Sequence, residues 1–408
     1  MREKVIFFVI MGLLFSTCKK KSIAEEGGIV LKYEIMLDDV VEIQCEAMAR
    51  DMKNELKDRT GEIWVSFESK QPLFAYSTDR RPVDPRFTFH FSQESDMLLV
   101  DVGFRKHFKG GAEEVSRDSS NKSITFTLTD DYIKSGKAAA SAQVKEIIGR
   151  RLDLLDINNV TISASGTDLV IELPAIEVDQ LDRVKSIIGQ GAKLEFMVVD
   201  DAGSKVFQEW TSKVVPDASI ILQRETNVVG MGIDSYYLES VSTGAKTGKM
   251  KLIEYLKDKE IPPDHVIRLS QTAPDPTGGQ SEKWRTWYLW KEAPLKGDYI
   301  ADASVAIDSY SKKPYVSLQF DKTGADLFEK ITGENVKKRL AIVLDDEVTS
   351  APLIQEKIGG GRAQITLPGN KDLATITKEA NDLTLALKSG ALPVPIMQTS
   401  LQVIAKKK

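Results

Sequence analysis

Apolar residues between Ile124 and Val199 fall first at strand spacing, then at helix spacing, then at strand spacing again, and this alternation restricts the fold more than any other feature. ITFTL (Ile124–Leu128) alternates as a strand. A helix follows to about Leu155, with Val144, Ile148, Leu152 and Leu155 on one face. VTIS and DLVIEL form a hairpin about Gly166. Val178, Leu181, Val184 and Ile188 mark a second helix, and AKLEFMVV (Ala192–Val199) closes as a strand. The order βαββαβ over 124–199 predicts an α+β fold of the ferredoxin-like plan, two helices on one face of an antiparallel sheet. Enzymes and binding proteins share that superfold, so it carries no information about activity.

The flanks are less regular. GGIVLKYEI (Gly27–Ile35) reads as a strand, and Asp38 or Asp39 can cap the helix after it. Val41, Cys45, Met48, Met52 and Leu56 lie on one face of that helix, which makes Cys45 a small buried hydrophobe. IWVSF, RFTFHF and MLLVDV read as strands, and Gly110–Lys122 as a surface loop. Beyond Asp200 the signal weakens until KWRTWYLWKE (Lys283–Glu292), which holds three of the five tryptophans. Cations interleaved with Trp284, Trp287 and Trp290 suit an aromatic surface that stacks bases or grips an unfolded peptide. A strand with Trp287 and Leu289 facing the core is the favoured reading. In the last third PYVSLQF is a strand, TGADLFEKIT a helix and RLAIVLD a strand. GGG (Gly359–Gly361) precedes a strand rather than a helix, so it reads as a hairpin turn and not as a phosphate loop.

Asp345, Asp346 and Glu347 are consecutive carboxylates ahead of Thr349 and Ser350. Like charges so close suit a solvated hairpin tip better than an acid–base pair, and no histidine is near in sequence. The stretch reads as scaffold, with no catalytic residue assigned. A hydrolase built on Ser350, Asp345 and a remote histidine ranks well below the other readings. Two cysteines and three histidines show no metal-ligand spacing, so neither metal nor cofactor is expected. A net charge of −5 gives no global field for nucleic acid.

Arg2 and Lys4 precede Val5–Thr17, a run without charge that ends at Cys18. As a helix it reaches roughly 20 Å against a hydrocarbon core of ~30 Å, too short for a comfortable span. A basic start and a short apolar run describe a secretory signal, and Ser16-Thr17-Cys18 resembles a lipobox with Cys18 lipidated.

Several blocks, in order, resemble the periplasmic region of SecD, the accessory subunit of the bacterial protein-export translocon. QVKEIIGRRLDLLDINNVTISASGTDLVIELPAI carries the basic pair Arg150 and Arg151, the aspartate Asp153 and a strand ending in Leu173-Pro174. KSIIGQGAKLEFMVVD follows it, KPYVSLQF through RAQIT resembles the head subdomain, and ANDLTLALKSGALPVPI carries Gly390-Ala391-Leu392-Pro393. Gly27-Gly28 is what remains of the family's opening Asp-Leu-Gln-Gly-Gly block. The resemblance implies a ferredoxin-like base at the membrane and an inserted head that contacts emerging preprotein. It implies as partners the Sec channel, a SecF-like membrane subunit, unfolded preprotein, and the membrane surface through the N-terminal anchor. The expected division is 1–26 signal and tether, 27–200 base, 201–390 head, and 391–408 return segment and basic tail, with a hinge near Asp200–Gly203. If the sequence is a complete gene product, the resemblance implies the periplasmic half without the family's proton-coupling membrane helices, which in the family follow the stretch matching Ile404-Ala405. The expected function is accessory to export and non-enzymatic, on the outer face of the inner membrane. An envelope lipoprotein that reuses this ectodomain as a binding module is the alternative.

Overall fold

The computed structural model describes residue 23 and residues 27–405, except 58, 68–82, 158, 175, 177–179, 214–218, 227–231, 243–245, 273–281 and 368–371. Cys18, the signal-like run before it, Val178 and the three terminal lysines lie outside the described residues.

Four antiparallel strands, β1 (Gly28–Ile35), β6 (Thr161–Ser165), β7 (Asp168–Pro174) and β19 (Ile396–Ile404), form one sheet in the order β19-β1-β7-β6. Helices α3 (Asp130–Leu154) and α4 (Leu181–Gly189) bury Val144, Ile148, Leu152, Val184 and Ile188 against Leu31, Ile35, Leu169 and Ile171 of this sheet. Each fully buried Leu or Ile contributes about 1.5–3 kcal/mol relative to exposure. Strand, helix, strand, strand, helix, strand is therefore present, but residues 124–199 alone do not build it. The first and last strands of that order are β1 and β19, from near the two ends of the described chain.

The strands expected to open and close that unit belong elsewhere. β5 (Ser123–Leu128) pairs with β3 (Arg86–Phe91) in a second antiparallel sheet, ordered β2-β3-β5-β4, with β2 (Ile63–Phe67) and β4 (Ala112–Asp118) at its edges. Phe126 meets Phe87 and Phe89 with ring centroids 5.8 and 5.9 Å apart, an aromatic match that the first sheet does not offer. Helix α1 (Asp38–Leu56) lays Val41, Cys45, Met48, Met52 and Leu56 on this sheet, as its spacing predicts. Burial pushes the Cys45 thiol up to about 12, so it packs rather than reacts. Asp38 and Asp39 stand in the first turn, where they favour the helix dipole, and neither caps it. MLLVDV is not a strand: a 3₁₀ turn covers Glu94–Leu99, and Asp101 accepts from Phe104 N at 2.8 Å to start α2 (Val102–Phe108). Within the expected loop 110–122 lies β4, a charged edge strand.

β8 (Leu194–Val198) pairs with β16 (Leu340–Leu344) and β13 (Leu295–Lys296) in an eight-stranded sheet. The placing of β8 in a base ending at residue 200 is thus corrected: five consecutive buried residues suit the interior of the larger sheet. That sheet runs β13-β8-β16-β17-β11-β12-β10-β9, adding β17 (Glu347–Ser350), β11 (His265–Thr272), β12 (Lys283–Trp290), β10 (Ser235–Val241) and β9 (Ile220–Glu225). Helices α5 (Val206–Lys213) and α6 (Gly248–Leu256) cover its far half. A last sheet, β14 (Ile300–Ile307), β15 (Pro314–Phe320) and β18 (Arg362–Thr366), packs with α7 (Lys322–Glu334) and α8 (Leu373–Ser389) over Phe196, Phe320 and Phe328.

Candidate functional site

Two chain segments join the four-stranded sheet and its helices to the eight- and three-stranded sheets: residues 190–193, leaving α4, and 390–395, leading from α8 to β19. They touch, with Leu392 N donating to Gly191 O at 2.8 Å. Arg151 clamps both. From α3 its guanidinium reaches the C-terminal carbonyls of α4, Ile187 O at 2.9 Å and Ile188 O at 3.1 Å, together with Gln190 O. Its other nitrogens donate to Ser389 Oγ at 3.0 Å and Gly390 O at 3.1 Å, at the end of α8. Helix C-termini carry unpaired carbonyls and partial negative charge, and a fork of five donors answers two of them at once. The side chain is fully buried, and burial pulls its pKa down to about 10, which leaves it charged at neutral pH.

Gly390 caps α8 with φ of 95°, a conformation that suits glycine. Ala391 and Pro393 are half-buried beside it and Leu392 is buried. Arg150 and Asp153 point to solvent, Arg150 pairing with Glu146 at 3.5 Å. Gly27 has φ of 75°, and Gly28 pairs with Pro174, so Gly27-Gly28 and Leu173-Pro174 meet at one end of the sheet.

Asp345 and Asp346 do turn a hairpin. Both are left-handed, φ 49° and 66°, as a two-residue turn between twisted strands requires. The expectation of a solvated tip is corrected. Asp345 Oδ1 accepts from Lys193 N at 2.8 Å, and its carboxylate lies against Gly191, beside the Arg151 clamp. Asp346 pairs with Arg268 at 2.9 Å, and Glu347 with Lys249. Each carboxylate has its own cation or donor, which removes the mutual repulsion assumed from the sequence. Burial raises the Asp345 pKa, so the folded chain holds that proton more tightly than the unfolded one. Stability from this group is then highest at acid pH and falls as pH rises from 3.8 through the raised value. Asp345→Asn keeps an acceptor for Lys193 and should change stability at pH 7 by less than about 1 kcal/mol. Urea unfolding at pH 4 and pH 7 should show the wild type losing stability relative to the variant at the higher pH. An unchanged difference would remove the buried-carboxylate assignment.

The aromatic strand is core. Trp284 is buried in the cluster with Phe207 and Tyr288, so it is no peptide-contact surface. Trp287 is half-buried, donates to Ser270 Oγ at 2.8 Å and lies under the Arg285 and Arg339 guanidiniums, 4.1 and 4.9 Å from its ring centre. Trp290 is the exposed one of the three, packed 4.1 Å from the His265 ring. The Asp200–Gly203 segment, expected to hinge, is tied down. Asp200 accepts from Gly203 N at 2.9 Å and contacts His265 Nε2 at 3.1 Å, while Asp201 pairs with buried Arg339. His265 in turn meets Asp264 at 2.8 Å, and among the described residues no hydrogen bond links Ser350 to a histidine. Sequence reasoning missed the role of Arg151 as a clamp. Its one signal was an arginine at a position where helix spacing places a buried side chain, one residue before Leu152.

The family model described as SecDF, P1 head subdomain, matches residues 270–394, and that described as protein translocase subunit SecDF, P1 domain, N-terminal, matches 141–201. Protein translocase subunit SecD of Calditerrivibrio nitroreducens is 32% identical over 395 residues, covering 96% of this chain and 63% of that protein. SecD of Anaeromyxobacter dehalogenans is 27% identical, covering 93% of this chain and 62% of that protein. The chain spans less than two thirds of the length of these curated relatives. A solved structure of SecDF in a super-membrane-facing form is 25% identical, with a TM-score of 0.41, and covers 66% of this chain and 28% of that one. Among the described residues no helix is long and apolar enough to cross a membrane. Matched in two P1 segments and aligned with SecD proteins along nearly its whole length, the chain belongs to the SecD family and carries its P1 region.

Proposed function

We propose that this chain serves Sec-dependent protein export at the outer face of the inner membrane, without enzymatic activity, by contacting unfolded preprotein and aiding its release. The observation that carries the reading is the alignment with a protein named translocase subunit SecD over 96% of the chain. Its partners on this reading are the translocon channel and a SecF-like membrane subunit. The division into a base and a head keeps the form expected from the sequence, with the joint moved. Motion is assigned to the crossings 190–193 and 390–395, where Arg151 holds two helix ends and Asp345 holds Lys193. A joint of two short segments lets two packed bodies turn as units.

An open cleft of about 720 Å³ lies between Arg183 of α4 and the first half of α8, and Arg183 pairs with Asp382 of α8 at 3.2 Å. Arg183→Cys with Asp382→Cys, bridged by a reducible bis-maleimide, should slow export several-fold in cells that hold the rest of the machinery. Reductant should restore it. Export at full rate by the bridged chain would remove the moving joint and leave a static binding platform.

A further inference from the structure

We infer that the outer edge of β6, with the groove between it and α3, binds an extended polypeptide segment that adds to this sheet as a fifth strand. The inference rests on the proposed export role and names where a client would be held. β6 is the terminal strand of its sheet, so its outward backbone groups face no described strand. Edges of this kind are normally protected by charge, proline or a bulge, because they template further pairing. β6 reads Thr161-Ile162-Ser163-Ala164-Ser165, with none of these, and pairs with β7 without a register shift.

Three other edges are guarded. β19 is bulged where it passes Lys32 and Tyr33, β4 is bulged and carries Glu113, Glu114, Arg117 and Asp118, and β9 carries Arg224 and Glu225. β2 is also uncharged, but it runs directly into residues outside those described.

A groove of about 480 Å³ runs beside the open edge, lined by Ala142, Lys145 and Gly149 of α3 and by Val160 and Ile162. Gly149 leaves its floor bare, since a Cβ there would first meet Ile162 Cδ1 at 3.8 Å. A strand added to β6 would point every second side chain into this groove. Recognition would come from main-chain hydrogen bonds, with small apolar walls that tolerate many side chains. Lys145 and Glu146 put one charge of each sign at the rim and favour neither. Such a site suits a client with no fixed sequence or shape. A second copy fits less well, because a five-residue edge falls far short of the roughly 800 Å² per partner of a stable dimer.

The test uses the purified full chain and a fluorescein-labelled decapeptide of alternating valine and threonine, read by anisotropy. Its control is the same peptide N-methylated at every residue, which leaves no main-chain donor on either edge. The parent peptide should bind, and the methylated one at least tenfold more weakly. Gly149→Met, which fills the groove, and Ala164→Lys, which guards the edge, should each weaken binding tenfold or more. Their melting temperatures should stay near wild type, and if Ala164→Lys fails to fold, Gly149→Met carries the comparison. Equal binding of the two peptides, or binding undiminished by the groove variant, overturns the inference. Self-association that these variants abolish, with no peptide bound, would assign the edge to a second copy instead. A bridged Arg183–Asp382 chain that exports normally yet binds peptide refutes the moving joint alone. Loss of export on bridging, without peptide binding, refutes the β6 site alone.

Discussion

Arg151→Met should lower the free energy of unfolding by about 3–5 kcal/mol, because the partners of a buried charge are left without their donors. Five acceptors depend on this one side chain: four main-chain carbonyls, Ile187, Ile188, Gln190 and Gly390, and the Ser389 hydroxyl. Each unpaired buried carbonyl costs about 1–3 kcal/mol, partly offset by the desolvation of the guanidinium that the wild type bears. Arg151→Lys should recover little, since one ammonium with three donors cannot reach two helix ends in a planar fork. Urea unfolding of the three chains measures this directly. A loss below about 1 kcal/mol for the methionine variant would mean that the joint is held by apolar packing alone.

Gly28→Ala should cost about 3 kcal/mol or more, for two independent reasons. Its φ of 146° is a region that L side chains rarely adopt. An added Cβ would also lie 2.3 Å from Leu173 O and 2.9 Å from Pro174 Cα, both main-chain atoms that cannot swing away. The damage should centre on the β1–β7 pairing, so amide exchange should accelerate first at the end of β7 that faces Gly28. Gly166→Ala, at a hairpin turn with φ of 59° but open space around it, is the milder control. Equal losses at the two glycines would show that backbone conformation alone, and not the close approach, sets the requirement at Gly28.

Local periodicity carried the helix faces: the stripe Val41 to Leu56 and the row Val144, Ile148, Leu152 are buried as their spacing demands. Strand pairing was not legible, because Ile124-Phe126-Leu128 and Ile29-Leu31-Tyr33 alternate equally well and either could have sat beside β7. The choice is made by partners far along the chain, the phenylalanines of β3 and the whole of β19. The carboxylates at 345–347 were misread for the same reason. Asp345 finds its donor at Lys193, 152 positions away, and no window around the turn contains it. Arg151 stood inside a quoted motif, yet what it holds only appears once two helix ends are brought together in space.

Gly28 and Ile404 are opposite one another in the β1–β19 ladder, so the polypeptide leaves and returns at a single point. In mechanical terms everything between them is a closed loop hung from one stitch. Tension drawn through the two ends would peel the ladder bond by bond from Gly28, the mode in which a strand pair is weakest. A load applied elsewhere on the body meets the stitch as torque, with the lengthwise pull shared by two strands side by side. The distance between the two ends is then independent of how the remainder is oriented.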